Sequence, residues 1–199
     1  MTSSKTQQLK QIRDEVWQLK ESPLYEYRTK NKYYPVLGEG SHDAKIMFIG
    51  EAPGENEAKQ GRPFCGAAGR VLDELCASID LSRKDVYVTN IVKDRPPGNR
   101  DPNPAEIAIY APFLDKQISI IQPDVIATLG RFSMVYIMEK FGLGNRVSGI
   151  SAMHGKAYEA WADYGVVNIV PLYHPAVALY RASQKEELLK NFQVLKEYL

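Results

Sequence analysis

The sequence predicts an α/β protein: a three-layer α/β/α sandwich around a central, mainly parallel, four-stranded sheet. Three observations carry that expectation. Short apolar runs of strand length, at 44–49, 85–90, 124–130 and 166–173, alternate with longer segments of helical period. The first run ends directly in a glycine-rich, acidic loop beginning Gly50-Glu51-Ala52-Pro53-Gly54, the kind of strand end at which open α/β sheets place their ligands. No repeat or low-complexity tract interrupts the alternation, so residues 1–199 are expected to form a single domain.

Taken in order, residues 4–20 place Leu9, Ile12, Val16 and Leu19 at helical spacing among polar residues, an amphipathic helix. Residues 21–42, with Pro23 and Pro35, read as an irregular arm. In it Arg28, Lys30 and Lys32 interleave with Tyr25, Tyr27, Tyr33 and Tyr34, which suits either a phosphate-contacting surface or an ordinary aromatic-rich face. After the glycine loop, 67–79 puts Val71, Leu72, Leu75 and Cys76 on one helical face. The second strand ends in Asn90, expected at the same sheet edge as Glu51; its amide could read a base edge or simply make a turn. Residues 93–102 form a stiff, proline-rich basic loop with Lys93, Arg95 and Arg100, suited to a phosphodiester backbone. Pro104 opens a helix to about Ile121; the third strand ends at Gly130, so Arg131 starts a further helix where free amides and a cation favour an anion. Residues 147–161 read as a small hairpin or irregular strand pair containing His154. The fourth strand runs straight into His174-Pro175-Ala176, and 186–199 is a closing core helix.

Composition narrows the classes without choosing one. The chain has 44% hydrophobic and 25% charged residues and a net charge of +1, ordinary for a globular protein and uninformative about nucleic acid. Its two cysteines, Cys65 and Cys76, cannot make a four-thiolate metal site and are expected to be reduced thiols. No apolar run reaches membrane-span length and no signal-peptide order is seen, so a cytoplasmic protein is expected.

The glycine loop carries Glu51, Glu55 and Glu57, which makes it a poor phosphate cradle, and it holds neither the Walker nor the dinucleotide fingerprint. With Phe64 as an exposed-looking aromatic, it fits a neutral planar ligand, although a solvated strand-to-helix connection would also explain it.

Together, Gly-Glu-Ala-Pro-Gly-x-x-Glu (50–57), Gly-x-Pro-Phe-x-Gly-x-Ala-Gly (61–69), Val-Thr-Asn-x-Val-Lys (88–93), Arg-Pro-Pro-Gly-Asn-Arg (95–100) and His-Pro-Ala (174–176) closely resemble the uracil-DNA glycosylase superfamily, in particular its family 4. The resemblance spans nearly the whole chain. It implies flipping of uracil out of single- or double-stranded DNA and hydrolysis of its N-glycosidic bond, leaving an abasic site. It also implies roles: Phe64 stacking on uracil, Asn90 reading its Watson–Crick edge, and the Glu51–Ala52 backbone adding hydrogen bonds. Glu57 would exclude the thymine methyl. His174 would donate to uracil O2 as the base departs as an anion, and Glu51 would orient water and face the cationic sugar. DNA contacts would fall to Arg95, Arg100, Arg131 and Arg181, with Leu179 as the wedge that fills the vacated stack. A glycosylase for hypoxanthine or xanthine, and a non-catalytic DNA- or uracil-binding module, remain the alternatives. A monomer is expected.

Family 4 members usually hold an iron-sulfur cluster on four cysteines. The matching positions here are Leu19, Ser22, Asp94 and Tyr110, so no thiolate ligation is possible there and a protein without cofactor or metal is expected. Packing and hydrogen bonding should fill that space.

Overall fold

A computed structural model describes residues 3–180 and 182–199. Helix α1 (Lys5–Trp17) begins at a capping box in which Ser4 Oγ accepts from the Gln7 amide and the Gln7 side chain accepts from the Ser4 amide. There follow α2 (Tyr25–Lys30), β1 (Glu39–Gly40), β2 (Ile46–Gly50), α3 (Glu55–Gln60), α4 (Ala67–Ala77) and β3 (Tyr87–Asn90). The second half comprises α5 (Pro104–Ile121), β4 (Val125–Leu129), α6 (Arg131–Lys140), the single turn α7 (Ile150–Met153), β5 (Tyr158–Ala162), β6 (Gly165–Leu172) and α8 (Ala182–Phe192). Helix α5 starts where proline at its first position needs no amide partner, with Asn103 and Glu106 forming a second capping box.

The strands form one sheet in the order β1-β3-β2-β4-β6-β5. The expected four-stranded parallel core is present as β3-β2-β4-β6, but the sheet has six strands, because β1 and β5 add antiparallel edges. The arm supplies β1, two residues too short to leave a period. Strand β5 carries the outward-facing Trp161 and has a mixed burial pattern, so it lacks the apolar continuity of the inner strands.

All of β2 is buried, and its side chains alternate between two cores. Met47 and Ile49 face a layer made by α1, α5 and α6, whereas Ile46 and Phe48 face α4 and α8. Three layers result, as the sequence predicts. The arm is less irregular than expected, since it contains α2. Residues 147–161 are no hairpin of their own: they give α7 and then β5, which pairs with β6. The closing helix begins earlier than position 186 and tightens into a 3₁₀ turn over Gln193–Tyr198. Among the described residues no helix is long and apolar enough to cross a membrane.

Register decides where the site lies. Gly50 pairs with Asn90 and Leu129 with Leu172, so the inner strands end level with one another. From β2 the chain steps to β3 on one side and next to β4 on the other. Glu51 therefore leaves the sheet at the point where strand order reverses, the usual crevice of such folds.

Candidate active site

A cavity of about 380 Å³ opens at this edge, lined by Glu51, Ala52, Glu57, Phe64, Asn90 and His174 together with the loop that carries Arg100. The six residues expected to bind or react thus converge, although they come from four separate stretches of chain.

Glycines allow that convergence. A side chain at Gly50 would overlap Asn90 Oδ1 and the Phe64 ring, and one at Gly69 would overlap the Phe64 carbonyl. Phe64 itself has φ 49°, a left-handed conformation that costs a non-glycine residue free energy and is held here by α4 packing behind it. Its ring is buried rather than exposed as its loop position suggested, and it stands 5.6 Å from the His174 ring, centroid to centroid.

Asn90 is 2% exposed, and its Oδ1 has no hydrogen-bond partner among the described residues. Buried amide oxygens are almost always satisfied, so this orphan, in a residue that lines the cavity, is unused acceptor capacity beside the site. His174 offers the complementary group. The Ala176 amide donates to its Nδ1 at 3.2 Å, which leaves the proton of the neutral ring on Nε2. Burial holds its pKa down to about 4 against the opposing pull of Glu57, so the ring is neutral at physiological pH.

Glu51 sits against Gly130, whose φ of 110° and missing side chain make room for the carboxylate. Its Oε1 accepts from the Phe132 amide at 3.0 Å, in the first turn of α6. Burial raises the Glu51 pKa, and that amide partly offsets the rise. The anion expected at the start of α6 is thus supplied by the chain itself. Glu57 is held by the Gly66 amide, which donates to its Oε1 at 2.8 Å.

The expected DNA-contacting cations differ in availability. Arg131 is exposed, within 3.7 Å of Asp101, and Leu179 is also exposed. Arg100 is half-exposed and grips Glu106 with both terminal nitrogens. Arg95 departs from the expectation of a phosphate contact. It is 8% exposed, and its guanidinium donates to Asn99 Oδ1, the Tyr27 and Tyr33 hydroxyls and Glu55, while lying over the Tyr33 ring. Of the arm's cations Arg28 is buried with its guanidinium over the Tyr25 ring, whereas Lys30 and Lys32 are exposed. Arg181 lies outside the described residues. Tyr180, which was not singled out, lines the cavity mouth and is 83% exposed; an aromatic beside the histidine motif was the available signal.

The four positions matched to cluster cysteines behave differently. Ser22, Asp94 and Tyr110 are buried in direct contact. The Leu24 amide donates to Ser22 Oγ, Ser22 Oγ lies 2.7 Å from the Tyr110 hydroxyl, and that hydroxyl donates to Asp94 Oδ2 at 2.6 Å. Arg28 closes the chain, donating to Asp94 Oδ1 and to the Val16 and Trp17 carbonyls at the end of α1. Leu19 packs beside the same core. Among the described residues no group of three or more His, Cys, Asp or Glu could hold a metal ion.

Fold and cavity define an α/β protein whose sheet edge sets an asparagine amide, a phenyl ring and a neutral histidine beside a carboxylate. The model of the uracil DNA glycosylase superfamily matches residues 37–199, and the chain belongs to that superfamily. It is 45% identical over 190 residues to a type-4 uracil-DNA glycosylase of Sulfurisphaera tokodaii, covering 95% of this chain and 84% of the relative. A type-4 enzyme of Saccharolobus solfataricus is also 45% identical, over 94% and 85% of the two chains, and one of Thermotoga maritima is 39% identical, over 85% of each.

Proposed function

We propose that this protein is a monofunctional uracil-DNA glycosylase. The observation that carries the reading is that Asn90, whose amide oxygen has no partner among the described residues, lines the same cavity as a neutral His174. Uracil presents an imide N–H between two carbonyls, so Asn90 Oδ1 accepts from that N–H while Nδ2 donates to the adjacent oxygen. Phe64 covers the ring plane, the backbone at Ala52 lies within reach of the base, and Glu57 closes the side where thymine carries its methyl.

Cleavage leaves the base as an anion and the sugar as an oxocarbenium-like cation. The His174 Nε2–H donates to the base oxygen as charge develops there, an interaction stronger in the transition state than before it. A neutral donor suits this role, since it need not surrender a proton. Glu51, anchored by the Phe132 amide, orients water and faces the sugar. Exposed Arg131 and the half-exposed Arg100 meet phosphates, Leu179 enters the vacated stack with Tyr180 beside it, and Arg95 shapes the loop from within. Arg181 extends the phosphate contacts.

Ser22, Asp94, Tyr110 and Leu19 fill the region with polar and apolar contacts of their own, which supports an enzyme working without cluster or metal. Visible iron absorbance in purified protein would overturn that. The enzyme acts as a cytoplasmic, single-domain monomer.

The test uses end-labelled single- and double-stranded DNA containing uracil, hypoxanthine or xanthine, followed by alkali. Cutting at uracil, lost in Asn90→Ala and His174→Ala, supports the reading. Cutting at a purine instead changes the substrate, and binding without cutting defeats the enzyme assignment.

A further inference from the structure

Three residues beyond Asn90 the chain buries a lysine. Lys93 is fully enclosed, and its Nζ donates to Thr89 Oγ1 at 2.8 Å, to the Asn90 carbonyl at 2.6 Å and to Gln117 Oε1 at 2.6 Å. These acceptors are themselves fixed. Thr89 Oγ1 donates to the Leu37 carbonyl at 2.5 Å, and Gln117 Nε2 donates to the same carbonyl and to the Tyr87 hydroxyl. An ammonium has three protons and no lone pair, so three acceptors around one nitrogen are the pattern of the charged form.

Such a cation is expensive to bury without a counter-ion, and a methionine of similar volume would fill the space at less cost. Stability alone does not account for the amine. Its position does, because it holds the peptide that carries the base-reading amide.

We propose that Lys93 is a positioning residue of the glycosylase reaction: its ammonium clamps the Asn90 carbonyl and the Thr89 hydroxyl to Gln117 of α5 and so fixes the Asn90 side chain against the base. The role rests on reading Asn90 as the base-contacting group. A cation directly behind that residue also favours a base that departs as an anion.

The clamp is pH-sensitive in a defined direction. Burial draws the Lys93 pKa well below the ordinary lysine value, so the ammonium is lost earlier on the alkaline side than an exposed lysine would be. The titratable group facing the network is Tyr87, which burial pushes upward. Asp94, the next residue, turns to Tyr110 and Arg28 and leaves Lys93 without a carboxylate.

The experiment measures single-turnover cleavage of uracil DNA, and DNA affinity, from about pH 6 to about pH 10.5, the upper end set by an ordinary lysine. Wild type is expected to lose rate on the alkaline side. Lys93→Met should cut the rate about tenfold or more at neutral pH, leave DNA affinity within about threefold, and flatten the lysine-dependent part of that limb. Gln117→Leu and Thr89→Val each remove one acceptor and should shift the limb to lower pH. Ionisation of the uracil imide contributes equally to every variant and cannot mimic the shift. If Lys93→Met does not fold, the two acceptor variants and the Lys93 Nζ resonance in a ¹H–¹⁵N spectrum decide: a slowly exchanging ammonium titrating below ordinary lysine supports the clamp, and its absence overturns it. Full rate in folded Lys93→Met, or a limb unmoved in both acceptor variants, sinks the role alone. A wild type that leaves uracil DNA intact sinks the glycosylase reading and this role with it.

Discussion

The cavity and the Ser22–Tyr110–Asp94–Arg28 chain are both polar and largely buried, yet they treat hydrogen bonds in opposite ways. In the chain every group has a partner: an amide gives to a hydroxyl, that hydroxyl to a phenol, the phenol to a carboxylate, and an arginine to the carboxylate and two helix carbonyls. At the cavity the Asn90 oxygen has none among the described residues, Phe64 holds a strained backbone, and Glu51 is desolvated with the start of α6 as partial compensation. Satisfied networks stabilise and rigidify, while unsatisfied ones keep interaction capacity for a ligand at the expense of stability. Thr128 Oγ1, also without a partner among the described residues, lies in β4 near the same sheet edge.

Substitutions can break this contrast. Asp94→Ala strands the Arg28 guanidinium in the interior and should destabilise the fold by about 3–5 kcal/mol in denaturant unfolding, with the cavity residues untouched. His174→Ala and Asn90→Ala should each lower cleavage about a hundredfold or more, near 2.7 kcal/mol of transition-state free energy. Their melting temperatures should not fall in proportion, and a rise in Asn90→Ala would show that the orphan oxygen is costly. Tyr110→Phe removes one hydroxyl from the relay and leaves Ser22 and Asp94 short of a partner, so a loss of about 1–3 kcal/mol with near-normal cleavage is expected. Cleavage after that change at a small fraction of wild type would show the two regions to be coupled.

The smallest effect is in pH dependence. The proposed reaction needs ionised Glu51 and neutral His174. Falling pH protonates Glu51 first, because burial raises it above 4.5, whereas His174 stays neutral to about 4. The acid limb of the rate profile should therefore lie above 4.5 and disappear in Glu51→Gln, and nitrogen shifts of His174 should show the Nε2–H tautomer through neutral pH. For stability the sign is fixed by the histidine's lowered pKa. The unfolded chain takes up the proton first, so the His174 contribution is complete above about 6.5 and is lost as pH falls toward 4.

Much of this was legible in the chain. Buried-strand runs, helical periods and the proline at 104 placed the inner sheet and α5 closely, because those signals are local. The motif residues Glu51, Asn90 and His174 were named from strand ends, since open sheets bring such ends together. The edge strands escaped because short or half-exposed strands leave no period. Arg95 was misjudged for a related reason: a cation in a proline-rich loop reads as solvent-facing until Tyr27, Tyr33 and Glu55, far apart in sequence, close around it.

The sequence by itself determined the α/β class, the order of the main elements and the candidate site residues at the strand ends, which follow from residue type and spacing; the four positions without cysteine follow from the family resemblance. Tertiary structure alone decided which polar groups are satisfied. Whether Asn90 keeps a free oxygen, whether Arg28 caps α1, and whether Lys93 lies open or clamped depends on which distant atoms arrive within 3 Å or so, and no local pattern encodes that distance.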